Sequence, residues 1–197
     1  IFNLTPNATL DDIWDKFNRF HNQVAIFHYG GHSNNEVLDL ADTALKGKNL
    51  ATLVGQEQNL QLVFLNGCAN ARQVELLFEK GVPAVIATTA LINDRRAINL
   101  SKQFYTALSK GRNIREAFSV AAEYVNNGEK KVLIDYRGLG FNKRQQQFEW
   151  GLYVKDESVL EWTIDTSSLE THENLLHQLR RNSYERYKKF TNKGGRF

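Results

Sequence analysis

Leu62-Val63-Phe64-Leu65-Asn66-Gly67-Cys68 is a run of four apolar residues closed by a short polar turn and the single cysteine of the chain. An unbroken apolar run of this length, without polar alternation, reads as a strand covered on both faces. Val24-Ala25-Ile26-Phe27 is a second such run and leads into His28-Tyr29-Gly30-Gly31-His32. A third, Ala84-Val85-Ile86-Ala87, follows Gly81 and Pro83. Helical patterns separate the runs, and strand–helix–strand alternation predicts an α/β fold with a parallel sheet.

Working outward, Thr9-Leu10-Asp11-Asp12 reads as a helix start, with Ile13, Phe17 and Phe20 on one face of a helix over 9–20. Val37 to Leu40 reads as a short hairpin strand and 48–57 as a helix. Ala71 to Lys80 carries Val74, Leu77 and Phe78 at helical spacing, so a helix is expected to begin within three residues of Cys68. Two more helices fit 95–109 and 113–126, separated by Gly111. The stretch 128–147 reads as a loop with a short strand at Val132-Leu133-Ile134. Strands are expected at 148–154 and 159–164, paired as a hairpin around Asp156-Glu157.

The net charge of +3 belongs to one end of the chain, because residues 167–197 hold seven Lys/Arg against three Asp/Glu. The body is close to neutral and shows no basic stripe of the kind nucleic acid requires. Leu169, Leu176, Leu179, Tyr187 and Phe190 recur near a 3.5-residue spacing, predicting a basic amphipathic helical tail that connects to a partner. Two domains are therefore expected, 1–166 and the tail 167–197. No apolar run reaches the roughly 18 residues of a membrane helix. A single cysteine forms no internal disulfide, which fits a reducing, cytoplasmic setting. With no methionine, Ile1 is not an initiator, so the chain is expected to be either an excised domain or a piece of a longer protein.

At the carboxyl ends of neighbouring parallel strands, Cys68 and His32 would share one crevice. The imidazole is a base for the thiol, and a helix start would help hold a thiolate. Backbone N–H groups of Cys68 and of the Gly31–Ser33 turn are candidates for an oxyanion hole. The two glycines before His32 are expected to allow a tight bend that aims the ring. Two weaker readings remain. His28, His32 and Cys68 could ligate zinc, but no fourth ligand has obvious spacing. Gly30-Gly31 follows a strand as phosphate loops do, without G-x-G-x-x-G or G-K-[ST]. His21, His172 and His177 read as structural, and no cofactor is called for.

Phe27-His28-Tyr29-Gly30-Gly31-His32-Ser33 resembles the histidine motif of the CHAT domain, a caspase- and separase-like family of cysteine peptidases, and Leu65-Asn66-Gly67-Cys68 resembles its nucleophile motif. The resemblance continues through Gly81-Val82-Pro83-Ala84-Val85, Asp94, Phe104-Tyr105, Leu108, Gly111, Ala117, Ala121 and Trp150, over about residues 5 to 165. It implies a caspase-like three-layer sandwich with a mostly parallel central sheet, plus the C-terminal helical extension. It implies His32 as general base, Cys68 as nucleophile, and no catalytic role for His28. The family commonly has Gly where this chain has Ser33. Relatives that cut after Arg or Lys often carry an acid at the place of Asn66. Separase-like members instead carry an aspartate at a place Asp94 can fill, although Asp94 also reads as a cap for helix 95–109. Asn66 and Asp94 are thus the substrate-binding candidates, and a first strand usual in the family is not visible before residue 9.

These readings give a cysteine endopeptidase acting on a protein substrate, the regulated effector of a larger bacterial defence or signalling protein. A regulatory domain or partner is expected through the tail, with neither nucleic acid nor membrane as a partner. The competing reading is a catalytically silent caspase-like scaffold or protein-binding module. A flavodoxin-like or TIR-like receiver would use the same sheet but needs no cysteine at this position.

Overall fold

The computed structural model describes residues 3–127, 131–136 and 147–165, with 131–136 and 147 described in backbone alone. The chain divides into two units, Ile1–Thr163 and Ile164–Phe197, and the elements below belong to the first. The helical tail expected over 167–197 lies outside the described residues.

Helix α1 (Leu10–Arg19) begins as its sequence dictates. The Thr9 hydroxyl accepts from the Asp12 N–H at 3.1 Å, and the Asp12 carboxylate accepts from the Thr9 N–H at 2.9 Å. Then come β1 (Ile26–Gly30), the antiparallel pair β2 (Val37–Asp39) and β3 (Ala44–Lys46), helix α2 (Gly47–Val54), β4 (Leu62–Asn66), helix α3 (Gln73–Glu79) and β5 (Ala84–Thr88). Helices α4 (Asp94–Ser109) and α5 (Ile114–Asn126) follow, then β6 (Lys131–Tyr136), β7 (Gln147–Val154) and a 3-10 helix at Glu157–Glu161.

The main sheet has five strands in the order β1-β4-β5-β7-β6. The pairs β1–β4, β4–β5 and β6–β7 are parallel, and β7 runs antiparallel to β5. Every residue of β4 and β5 is buried, because helices cover both faces. On one face Val63, Leu65, Val85 and Ala87 join a core with Ile13 and Phe17 of α1, Leu50 and Leu53 of α2, and Val74 and Leu77 of α3. On the other face Phe64 meets Phe104 of α4 edge to face, with centroids 5.4 Å apart. This is the mostly parallel, caspase-like three-layer arrangement expected. A Phe104→Ala change would cost about 3–5 kcal/mol by leaving a cavity beside Phe64.

Two expectations fail here. No strand forms at 159–164, and Asp156-Glu157 is no hairpin turn. The Asp156 carboxylate instead accepts from the Ser158 N–H at 2.9 Å and caps the 3-10 helix, which buries the adjacent Val159 and Leu160 together. Neighbouring residues buried on one side suit a helical turn and not the two-residue alternation of a strand. The helix after Cys68 also starts later than predicted, at Gln73, after a turn at 71–72. No helix among the described residues is long and apolar enough to cross a membrane.

Candidate active site

Parallel pairing of β1 with β4 matches Ile26 to Leu62 and Gly30 to Asn66, an offset of 36 residues. His32 and Cys68 are separated by that same offset, each two residues past its strand. Neighbouring strands lie about 4.8 Å apart, and the last matched pair is Gly30 and Asn66, so the histidine and cysteine turns leave adjacent strands.

The two turns are joined by contacts. The Ser33 hydroxyl donates to the Cys68 carbonyl oxygen at 3.0 Å. Gly67 packs so closely on the histidine turn that a Cβ there would stand 2.6 Å from the Gly31 carbonyl oxygen. From below, the Tyr29 hydroxyl donates to the His32 carbonyl oxygen and lies 2.8 Å from the carbonyl oxygen of Asp39. The Asp39 N–H donates to the His32 carbonyl at 3.0 Å, and Ser33 bridges to Leu38. A Cβ on Gly31 would meet the Tyr29 hydroxyl at 2.8 Å. Gly31 is thus required for space. The chain does bend at Gly31 as expected, and it does so without a positive φ at either glycine.

His32 is exposed and Cys68 half-buried. No described hydrogen bond engages the His32 ring, and none uses the backbone N–H of Cys68 or Ser33. The Cys68 sulfur lies 4.0 Å from the Ile92 carbonyl oxygen in the loop after β5. That loop is tied to the cysteine turn by the Ala69 N–H, which donates to the Ala90 carbonyl at 3.1 Å. Because α3 starts five residues beyond Cys68 and has seven residues, its terminus adds little at the sulfur.

Asn66 is a buried bolt. Its Nδ2 donates to the Ala97 carbonyl at 2.9 Å and to the Ser101 hydroxyl at 2.7 Å, and its Oδ1 accepts from the Trp150 Nε1–H at 2.9 Å. With 6% exposure its amide is committed to α4 and β7. Asp94 is the exposed first residue of α4, and Asn93 takes the cap expected of it by accepting from the Arg95 N–H at 3.0 Å. Behind it, Arg96 and Glu149 form an ion pair at 2.9 Å.

His28 lies in the α4-facing layer, stacked on Phe64 at 4.5 Å with Nδ1 3.0 Å from the Tyr105 hydroxyl. Burial lowers its pKa to about 4 and raises that of Tyr105, so both are neutral at neutral pH. Held there, His28 does not join His32 and Cys68 as a zinc ligand, and no group of three or more potential ligands assembles among the described residues. Sequence reading missed Asn70 and Thr88, which brace the cysteine turn. Their one signal is polarity in an apolar stretch, which does not reveal a partner.

Among known families, the model of the CHAT domain matches residues 4–158. A search of curated proteins found no match.

Proposed function

The chain belongs to the CHAT domain family, a caspase-like, peptidase-related family, and from that premise we propose that it is a cysteine endopeptidase using Cys68 and His32. The observation that carries the reading is the coincidence of the Cys68–His32 separation with the β1–β4 register, reinforced by the Ser33–Cys68 hydrogen bond. His32 accepts the Cys68 proton, and the thiolate attacks a peptide carbonyl carbon. The resulting oxyanion lies against the N–H groups of Cys68 and Ser33. Collapse of the tetrahedral intermediate breaks the C–N bond, with His32 returning its proton to the leaving amine. Water, deprotonated by His32, then hydrolyses the thioester and regenerates the thiol.

Asp94, two residues past the Ile92 carbonyl that lies near the sulfur, is the acid for a basic side chain at P1. Asn66 has no part in this scheme, since its amide is used inside the fold. The protein is a regulated effector in a larger defence or signalling assembly, with the basic tail as connector to a regulatory partner.

Cys68→Ala should abolish cleavage of Arg-containing peptides and labelling by an electrophilic peptide, while the fold persists; full cleavage by that variant ends the proposal. The scaffold reading draws on the late start of α3 and the absence of any described hydrogen bond orienting the His32 ring. It predicts that Cys68 alkylates no faster than a free thiol.

A further inference from the structure

Asn70 is fully buried and takes no part in the reaction above, yet its carboxamide joins three separate pieces of chain. Its Nδ2 donates to the Leu65 carbonyl at 3.2 Å and to the Ser33 hydroxyl oxygen at 3.3 Å. Its Oδ1 accepts from the Thr88 N–H at 2.8 Å. The Thr88 hydroxyl has one proton, which goes to the Gly67 carbonyl oxygen as the closer acceptor. The network therefore holds β4, β5 and the histidine turn at once.

The direction of the bonds matters. With an Asn70 N–H entering the Ser33 oxygen, the proton of Ser33 is turned toward the Cys68 carbonyl at 3.0 Å. One relay thus runs from Asn70 through the residue after His32 to the nucleophile's own peptide group. Few side chains of this size present donors and an acceptor in one plane, and an aspartate would set an oxygen against the Leu65 carbonyl. A second sign of constraint lies between Cys68 and Asn70. Ala69 has φ 47°, a left-handed conformation that alanine adopts only where its surroundings impose it.

We infer that Asn70 is the positioning residue of the Cys68–His32 pair, locking the histidine turn to the cysteine turn through Ser33 and tying the cysteine turn to β5 through Thr88. The inference rests on the peptidase reading. The network, buried at Asn70, Leu65 and Thr88, stabilises the fold as well, so the test needs a readout that stability alone does not move.

The rate of Cys68 alkylation by iodoacetamide across pH, in the full chain, supplies it. Wild type should react faster near neutrality than His32→Ala. Asn70→Ala should slow the reaction roughly tenfold to a hundredfold, toward the His32→Ala rate, as expected when reacting groups are misplaced by about an ångström. Ser33→Ala should slow it in the same direction by less, and neither change should slow it further in a His32→Ala background. An unchanged rate in both single variants overturns the inference. So does a slowing that persists undiminished without His32, since that marks a merely structural role. Where Asn70→Ala does not fold, Ser33→Ala decides alone. If His32→Ala reacts as fast as wild type, the dyad itself fails and the positioning role falls with it, an outcome distinct from a working dyad indifferent to Asn70.

Discussion

Gly67 stands against Gly31 with no room between them: a Cβ on Gly67 would lie 2.6 Å from the Gly31 carbonyl oxygen and 3.0 Å from the Ser33 Cβ. Backbone on one side and a hydrogen-bonded serine on the other leave little that can give way. The φ of Gly67 is not positive, so the demand at this position is for space.

Gly67→Ala should therefore push the histidine turn off the cysteine turn. The expected loss is about 1–3 kcal/mol in stability, as for other overpacked sites, together with any rate advantage of Cys68 toward electrophiles. Urea denaturation and iodoacetamide labelling read the two effects. A variant as stable and as reactive as wild type would show that the turns tolerate separation.

Trp150→Phe removes the indole donor to Asn66 while keeping most of the apolar volume. The Asn66 oxygen would then be buried without that donor, costing about 1–3 kcal/mol. A lower denaturant midpoint with an unchanged slope is the expected result. A stability within experimental error of wild type would mean that Asn66 finds another donor.

His28 sets a pH dependence whose sign follows from its neutral burial. Its pKa falls from 6.5 to about 4 on folding, so between those values the unfolded chain binds more protons than the folded one. The stability it contributes is complete above pH 6.5, declines as pH falls through the window, and is lost by about pH 4. The loss amounts to at most about 3 kcal/mol. Denaturant titrations between pH 7 and 4 should show wild type losing more stability than His28→Phe, which retains an aromatic ring to stack on Phe64. Parallel curves for the two proteins would refute the assignment.

Asp94→Asn tests substrate choice apart from chemistry. Cleavage of peptides with Arg at P1 should fall roughly tenfold relative to peptides with Leu there, while alkylation of Cys68 by iodoacetamide stays at the wild-type rate. Equal losses on both peptides would remove Asp94 from the P1 pocket.

Much of the fold can be read directly along the chain. The apolar runs at 62–65 and 84–87 became adjacent parallel strands buried on both faces. The run at 24–27 only overlaps the edge strand β1 at Ile26 and Phe27 and stays half-buried, because an edge strand is covered less completely. Thr9 with Asp12 marked the first helix by a hydrogen bond spanning three residues. The reading failed where local patterns were ambiguous. Val159 and Leu160 are apolar and β-compatible by type, but both are buried together, as a helical turn capped by Asp156 allows and strand alternation does not. Asp94 and Asn93 are adjacent cap-forming residues, and the observed helix start gave the role to Asn93.

By itself the sequence determined that a thiol and an imidazole would each follow the end of a strand, because periodicity and apolar runs act over a few residues and leave a legible pattern. That the two strands are neighbours came from the sheet order. The tertiary structure alone decided how those ends are braced. Asn70 reaches Ser33 across 37 residues and Thr88 across 18, while Asn66 reaches Trp150 across 84. Such partners are chosen by strand register and by the need to satisfy every buried polar atom, and neither condition exists until the chain has packed.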